Sequence, residues 1–237
     1  SYALIGLVLR WIFAPGQPWY VVLGLGLVMT LIAGVVAVDR SDRQYRGIVF
    51  DSVVSIWACA WLVTGLALVV VVQPDPWYRA QYAIPLLGMI LANTLNGISL
   101  GLNRFTREMA DRRTEIDTLL ALGATRWEAA RAAVQESIRT GMIPTINAMM
   151  IVGIVSLPGM MTGQLLSGVD PMQAIAYQII IMFFLAATTS LGTCGVILLG
   201  YRRLFTPDHQ FLPERLTPRR KAERGKLNAC TGRAEPP

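Results

Sequence analysis

The stretch NRFTREMADRRTEIDTLLALGATRWEAARAAVQESIRT, residues 103–140, is a charged island between apolar runs, and it decides how the rest of the chain is read. Its apolar residues Phe105, Met109, Ile116, Leu119 and Leu120 recur on one helical face, and Glu108 and Arg112 stand at the i,i+4 spacing that supports a helix. Gly123 is a helix stop. Thr125, followed three residues later by Glu128, makes a capping box that starts a second helix. That helix carries Trp127, Ala130, Val134 and Ile138 on one side and leads straight into the next apolar run. The pattern predicts a helix, a sharp turn and a second helix, continuous with a membrane span and able to pass movement to it. An ordinary solvated loop would need neither the caps nor an exposed Trp127.

On either side of the island the apolar residues are bunched in runs. The chain has 237 residues, 54% hydrophobic and only 15% charged. A hydrocarbon core of about 30 Å takes about 20 apolar residues to cross as a helix, and residues 19–38, 48–72, 82–102, 141–157 and 174–200 read as five crossings. Residues 1–13 are equally apolar but too short, as a cut-off span would be. A cleavable signal peptide would instead begin with a basic region and end in small residues, and Arg10 stands at the wrong end for that. Arginines gather in alternate connections: Arg40, Arg43 and Arg46, then Arg104 to Arg139, then the tail from Arg202 to Arg233. The intervening connections carry only Arg79. The positive-inside rule therefore puts the island and the C-terminus in the cytosol. It also accounts for the net charge of +6, so the basic tail, which lacks interleaved aromatics, implies lipid as a partner and no nucleic acid. The expected architecture is all-α: a polytopic transmembrane helical bundle of five complete spans plus one truncated N-terminal span, with a cytosolic helix-turn-helix coupling element. Residues 1–201 form the membrane domain with 103–140 inserted in it, and 202–237 form a basic tail expected to be disordered.

Several chemistries are excluded by residue type. The only lysines are Lys221 and Lys226, so no P-loop lysine is available to hold a nucleotide. His209 is the only histidine, and Cys59, Cys194 and Cys230 are far apart, which leaves no thiolate or imidazole metal cage and no disulfide framework. Neither a nucleophile elbow nor a metalloprotease helix is present. The chain is expected to be no enzyme and to bind no cofactor of its own.

A second informative region follows Pro144, a residue that kinks helices. The apolar run meets Pro158-Gly159, and residues 160–168 are too short to cross yet too apolar for a free loop. Interrupted helices of this kind mark transport sites; the alternative is a helix that ends at the outer interface under a short lid. Polar residues inside the spans are the other clue. Asn93, Asn96 and Asn147 either line a path or bond between helices, whereas Thr188, Thr189, Ser190 and Thr193, with the pair Gly97 and Gly101, read as close packing. Met160 and Met161 are thioethers able to touch a metal, as are Met149 and Met150, although methionine is also an apolar filler. With Gln164 they complete the candidate substrate path; metal ligands are not assignable. Asp51 lies only three residues inside its span, where its carboxylate is expected to stay near the headgroups.

Leu122-Gly123-Ala124-Thr125, Ser137-Ile138-Arg139 before Ile143-Pro144-Thr145, Ser156-Leu157-Pro158-Gly159-Met160-Met161-Thr162-Gly163, Asp170-Pro171 and Ala176-Tyr177-Gln178-Ile179 resemble, in order and spacing, the FetB-type iron-export permeases of ABC transporters. The aluminium-sensitive permeases of plants look related. The family pattern has a further N-terminal span and the first part of the next, so a longer beginning is expected. The resemblance implies a permease subunit of the bacterial inner membrane, a homodimer paired with two copies of a separate ABC ATPase that carries ATP-Mg, exporting a metal ion, iron being the usual assignment. The plant relatives are linked to UDP-glucose, which leaves a nucleotide-sugar permease as the alternative; a non-transporting scaffold is a third. The turn also resembles the glycine-centred coupling loop of other ABC permeases, with a spacing to Pro144 that departs from the importer pattern. Glu115, Leu122, Gly123, Ala124, Thr125, Arg126, Trp127, Glu128 and Arg131 are the residues expected to meet the ATPase.

Overall fold

In a computed structural model of the chain, residues 19–39, 43–44, 47–69, 80–153, 157–205 and 217–218 are described. Seven helices follow in order: α1 (Trp19–Asp39), α2 (Ile48–Ala67), α3 (Ala80–Asp111), α4 (Arg113–Ala121), α5 (Arg126–Ile151), α6 (Gly159–Leu166) and α7 (Pro171–Leu204). The only strand pairing among the described residues is a two-residue antiparallel bridge, Arg43–Gln44 with Thr217–Pro218, too short to alter the all-helical class. Residues 1–13, read as a truncated span, lie outside the described residues, as does the tail beyond Phe205 apart from that bridge.

Among the described residues four helices are long and apolar enough to cross a membrane: α1, α2, α3 and α7. At 1.5 Å per residue α3 and α7 reach about 48 and 51 Å, so both outrun a hydrocarbon core and extend beyond it. The fifth expected crossing, 141–157, takes another form. Its apolar residues are the last turns of α5, which has begun at Arg126 and ends at Ile151. Gly153, with φ 83°, then turns the chain away, and the short helix α6 follows. An apolar run broken by such a residue satisfies a composition count without making one straight helix.

The core is a trio of α3, α5 and α7, with α1 and α2 packed on one side, α6 against α7 and α4 against α5. Four glycines let the trio close up. A Cβ added at Gly141 would stand 2.8 Å from the Gly97 carbonyl and 2.7 Å from Thr193 Cγ2. One at Gly101 would stand 2.7 Å from the same methyl, and one at Gly192 would stand 2.8 Å from Thr94 Cγ2. Small residues at such crossings are how helices approach closely where lipid offers no hydrophobic drive. Thr188, Thr189 and Thr193 are fully buried in this seam, as a packing role requires. Interhelical hydrogen bonds add to it: Ser55 donates to Gly192 O (3.1 Å), Ser99 to Ala37 O (3.3 Å) and Trp61 Nε1 to Thr30 Oγ1 (3.3 Å). Each contributes about 0.6 kcal/mol in such settings.

Asp51 has a partner that its place in the span did not disclose. Its carboxylate is 3% exposed and held in two contacts by Arg203 at the end of α7, Nε to Oδ2 at 2.6 Å and Nη2 donating to Oδ1 at 2.8 Å. The extra length of α7 brings the guanidinium over Gly47, where a side chain would collide with it. Position within the span could not reveal a partner so distant in sequence.

Candidate functional site

The island folds as an elbow. The helix from the apolar run continues unbroken through α3 to Asp111, turns at Arg112, and resumes as α4. Phe105, Met109 and Ile116 are buried and Leu119 and Leu120 half-buried, so the expected apolar face is present, split over two helices. At the end of α4 the amides of Gly123 and Ala124 donate to the carbonyls of Leu120 (3.1 Å) and Leu119 (3.0 Å), the paired bonds of a left-handed helix stop. Gly123 supplies the required φ of 90°. Two residues on, the Thr125 amide donates to Glu128 Oε2 at 2.7 Å and the Glu128 amide donates to Thr125 Oγ1 at 3.4 Å, a complete capping box. These bonds from the Thr125 hydroxyl and amide hold the Glu128 carboxyl below the usual carboxylate value.

The apex is unusual for its exposure. Leu122 is 80% exposed, and Glu115, Gly123, Thr125, Trp127, Glu128 and Arg131 share the open surface, with Ala124 and Arg126 half-buried. Trp127 also packs edge-on against Tyr201 (centroids 5.6 Å apart), which stacks at a tilt on Phe205 (5.3 Å). The elbow thus grips the end of α7, two residues from the Arg203 that holds Asp51. At its root Arg104 pairs with Glu108 (2.6 Å), Arg112 with Glu108 (3.2 Å) and Glu115 (3.7 Å), and Arg104 approaches Glu136 (4.0 Å). Such partly exposed pairs contribute little stability; they fix the direction in which the elbow leaves the bundle.

At the other end of the same helices lies a cavity of about 700 Å³. Its wall comes from the first half of α3 (Pro85, Met89, Asn93), the last turns of α5 (Thr145, Ala148), α6 with its approach (Pro158, Met160, Gln164) and the early turns of α7 (Gln178, Met182). The glycine seam closes it on the elbow side. From Thr125 to Gly141 the rise of α5 is about 24 Å, so one rigid helix connects the apex to the seam. Of the candidate path residues, Asn93, Met160 and Gln164 line the cavity. Asn96 and Asn147 are exposed outside it and Met161 is buried beside it; each lies on another side of a helix that does line the cavity, and apolar runs do not reveal in advance which side faces inward. Gln178, Met182, Met89 and Thr145 went unsuspected for the same reason. Gln178 is 3% exposed, and its Oε1, like that of Gln164, has no hydrogen-bond partner among the described residues.

Residues 2–205 match the family described as uncharacterised protein family UPF0014. The chain belongs to UPF0014. It is 42% identical over 209 residues to the UPF0014 membrane protein slr1647 of Synechocystis, covering 88% of this chain and 80% of that one. Against the "Probable iron export permease protein FetB" of Escherichia coli it is 31% identical over 214 residues, 90% of this chain and 80% of the relative. Protein ALUMINUM SENSITIVE 3 of Arabidopsis thaliana is 27% identical over 208 residues, 88% and 74%. No solved structure matches. With its four apolar helices this UPF0014 member is an integral membrane protein, and the FetB and plant likenesses agree with the resemblance drawn from its motifs.

Proposed function

We propose that this chain is the membrane permease subunit of an ATP-driven exporter of a metal ion, with ATP hydrolysed by a separate ABC ATPase on the cytosolic side. The observation that carries the reading is the elbow: a doubly capped turn with an exposed Leu122, continuous through α5 with the wall of a cavity of about 700 Å³. Exposed apolar and charged groups on so stiff a projection suit a groove on a partner. Tilting α5 about the glycine seam then moves the cavity wall. The E. coli relative's name supplies iron and the outward direction. Two permease copies and two ATPases complete the assembly in the inner membrane, with the elbow and tail cytosolic as the arginine distribution requires.

The nucleotide-sugar alternative is disfavoured by the cavity's chemistry, since none of its described lining residues is charged and a diphosphate is ordinarily met by Arg or Lys. Cross-linking tests the docking surface. A Leu122→Cys chain in a cysteine-free background is expected to cross-link to the ATPase, and Arg126→Glu is expected to abolish that product together with stimulated ATP hydrolysis while membrane insertion persists. Cross-linking and stimulation unchanged by Arg126→Glu would refute the elbow as the docking surface.

A further inference from the structure

The cavity also carries information about the form in which its cargo arrives. Bare divalent ions are held by carboxylate, imidazole or thiolate groups, because the cost of stripping water from an ion grows with the square of its charge and anionic ligands offset it. Among the described residues no group of three or more His, Cys, Asp or Glu stands close enough to hold a metal, and the described cavity wall is neutral throughout. Size points the same way. A hexahydrated ion occupies about 200 Å³ at about 30 Å³ per water, whereas the cavity has about 700 Å³, the range of pockets that enclose small organic molecules. Much of its wall is apolar: Pro85, Leu86, Ala148, Pro158 and Leu185 would do nothing for a hydrated ion and would cover the carbon surface of an organic one.

Two side-chain amides interrupt that wall, Gln164 and Gln178. Neither Oε1 has a hydrogen-bond partner among the described residues or appreciable accessible surface, so each meets a donor in the cavity by turning about its last torsion, and Gln178 as a whole is buried. A buried carbonyl left unpaired is expensive, so one that lines a binding cavity is matched by a donor on what binds there. We propose that the cavity takes its metal as a neutral complex with a small organic ligand, whose outward N–H or O–H groups donate to Gln164 and Gln178 while its carbon edges lie against the apolar wall. The thioethers of Met89, Met160 and Met182 then act as an adaptable lining and are not ligands to the ion. This rests on the permease reading but is tested without the ATPase.

The full chain in bilayer discs is offered tris(acetohydroxamato)iron(III), a neutral octahedral complex with N–H groups at its rim, its N-methylated counterpart, which has none, and ferrous ion alone; binding is read by equilibrium dialysis, with free acetohydroxamic acid as the control. The N–H complex is expected to bind at least about tenfold more tightly than the N-methylated one, as one or two buried hydrogen bonds would give, and Gln164→Leu with Gln178→Leu in the same chain is expected to remove that difference. The wild-type comparison stands even where the variant fails to fold. Ferrous ion binding as tightly as the complex, or equal binding of the two complexes, would overturn the proposal. Either result leaves ATPase stimulation intact where the permease reading is right, and loss of that stimulation in the unaltered chain refutes the permease reading instead.

Discussion

The elbow and the cavity are built on the same two helices, α3 and α5, yet they are encoded in opposite ways. The bonds that make the turn itself join residues a few positions apart, Thr125 with Glu128, Gly123 with Leu120 and Arg112 with Glu108, and only its seating on the bundle uses distant ones, Trp127 with Tyr201 and Arg104 with Glu136. Each wall of the cavity comes from a different helix, and its orphaned carbonyls belong to α6 and α7. A locally encoded element can stay rigid while a partner pushes it, because no distant contact has to hold for it to keep its shape. A cavity assembled from separate helices changes shape whenever one of them tilts. The difference teaches how one bundle can contain both a lever and the space it acts on.

Substitutions can separate the two. The largest expected effect is in the seam between them: Gly141→Leu drives a side chain into the Gly97 carbonyl and Thr193, and since overpacking costs about 1–3 kcal/mol or more where backbone cannot yield, thermal unfolding in detergent should show a strongly destabilised or unfolded chain. Ala129→Pro comes next. Its amide donates to Thr125 O at 3.1 Å, and proline there removes that bond and clashes with the same carbonyl, at about 3 kcal/mol; circular dichroism should register a short loss of helix while chelate binding is unchanged. Arg203→Ala removes the two-contact partner of a buried Asp51 carboxylate and is expected to cost about 2–3 kcal/mol, discounted from the range for fully buried pairs because Arg203 is partly exposed; Asp51→Asn in the same chain should recover part of that loss in a double-mutant cycle. The smallest effect is Thr125→Ala, with amide exchange at Glu128 about fivefold faster. Because the Glu128 carboxyl is held below its ordinary value, its contribution to the cap is complete above that ordinary value and is lost as pH falls through the lowered one. The protection factor at the cap, which is exchange relative to the intrinsic rate at each pH, should therefore fall in acid and stay constant from neutral pH upward.

How far the sequence could be read follows the same division. The stop at Gly123, the capping box, the Glu108–Arg112 pair and the buried Phe105–Met109–Ile116 face were all legible, because each rests on helical spacing or on a rule about one turn. The apolar spans were legible in place and nearly in length. Three features were not. Helix α5 runs from the elbow into the expected fifth span as its pattern implied, but it stops at Ile151, which a count of apolar residues cannot detect across Gly153. The cavity yielded Asn93, Met160 and Gln164 because polar or paired residues stood out in apolar runs, while Gln178, Thr145 and Met182 required knowledge of which side of α5 and α7 faces inward. A helix that is apolar all round has no preferred face in sequence. The Asp51–Arg203 pair, separated by most of the chain, was hidden for want of any local signal.

The claim on which the account turns is that force enters at the elbow and is felt at the cavity. The most direct measurement compares ATP hydrolysis by the partner ATPase in bilayer discs containing the unaltered chain or Ala129→Pro, with binding of the neutral iron complex recorded on the same samples. The account predicts stimulated hydrolysis with the unaltered chain, none with the proline variant, and binding within about twofold in both, since residue 129 lies about 24 Å of helix rise from the cavity residue Thr145. Stimulation that survives the proline would contradict it.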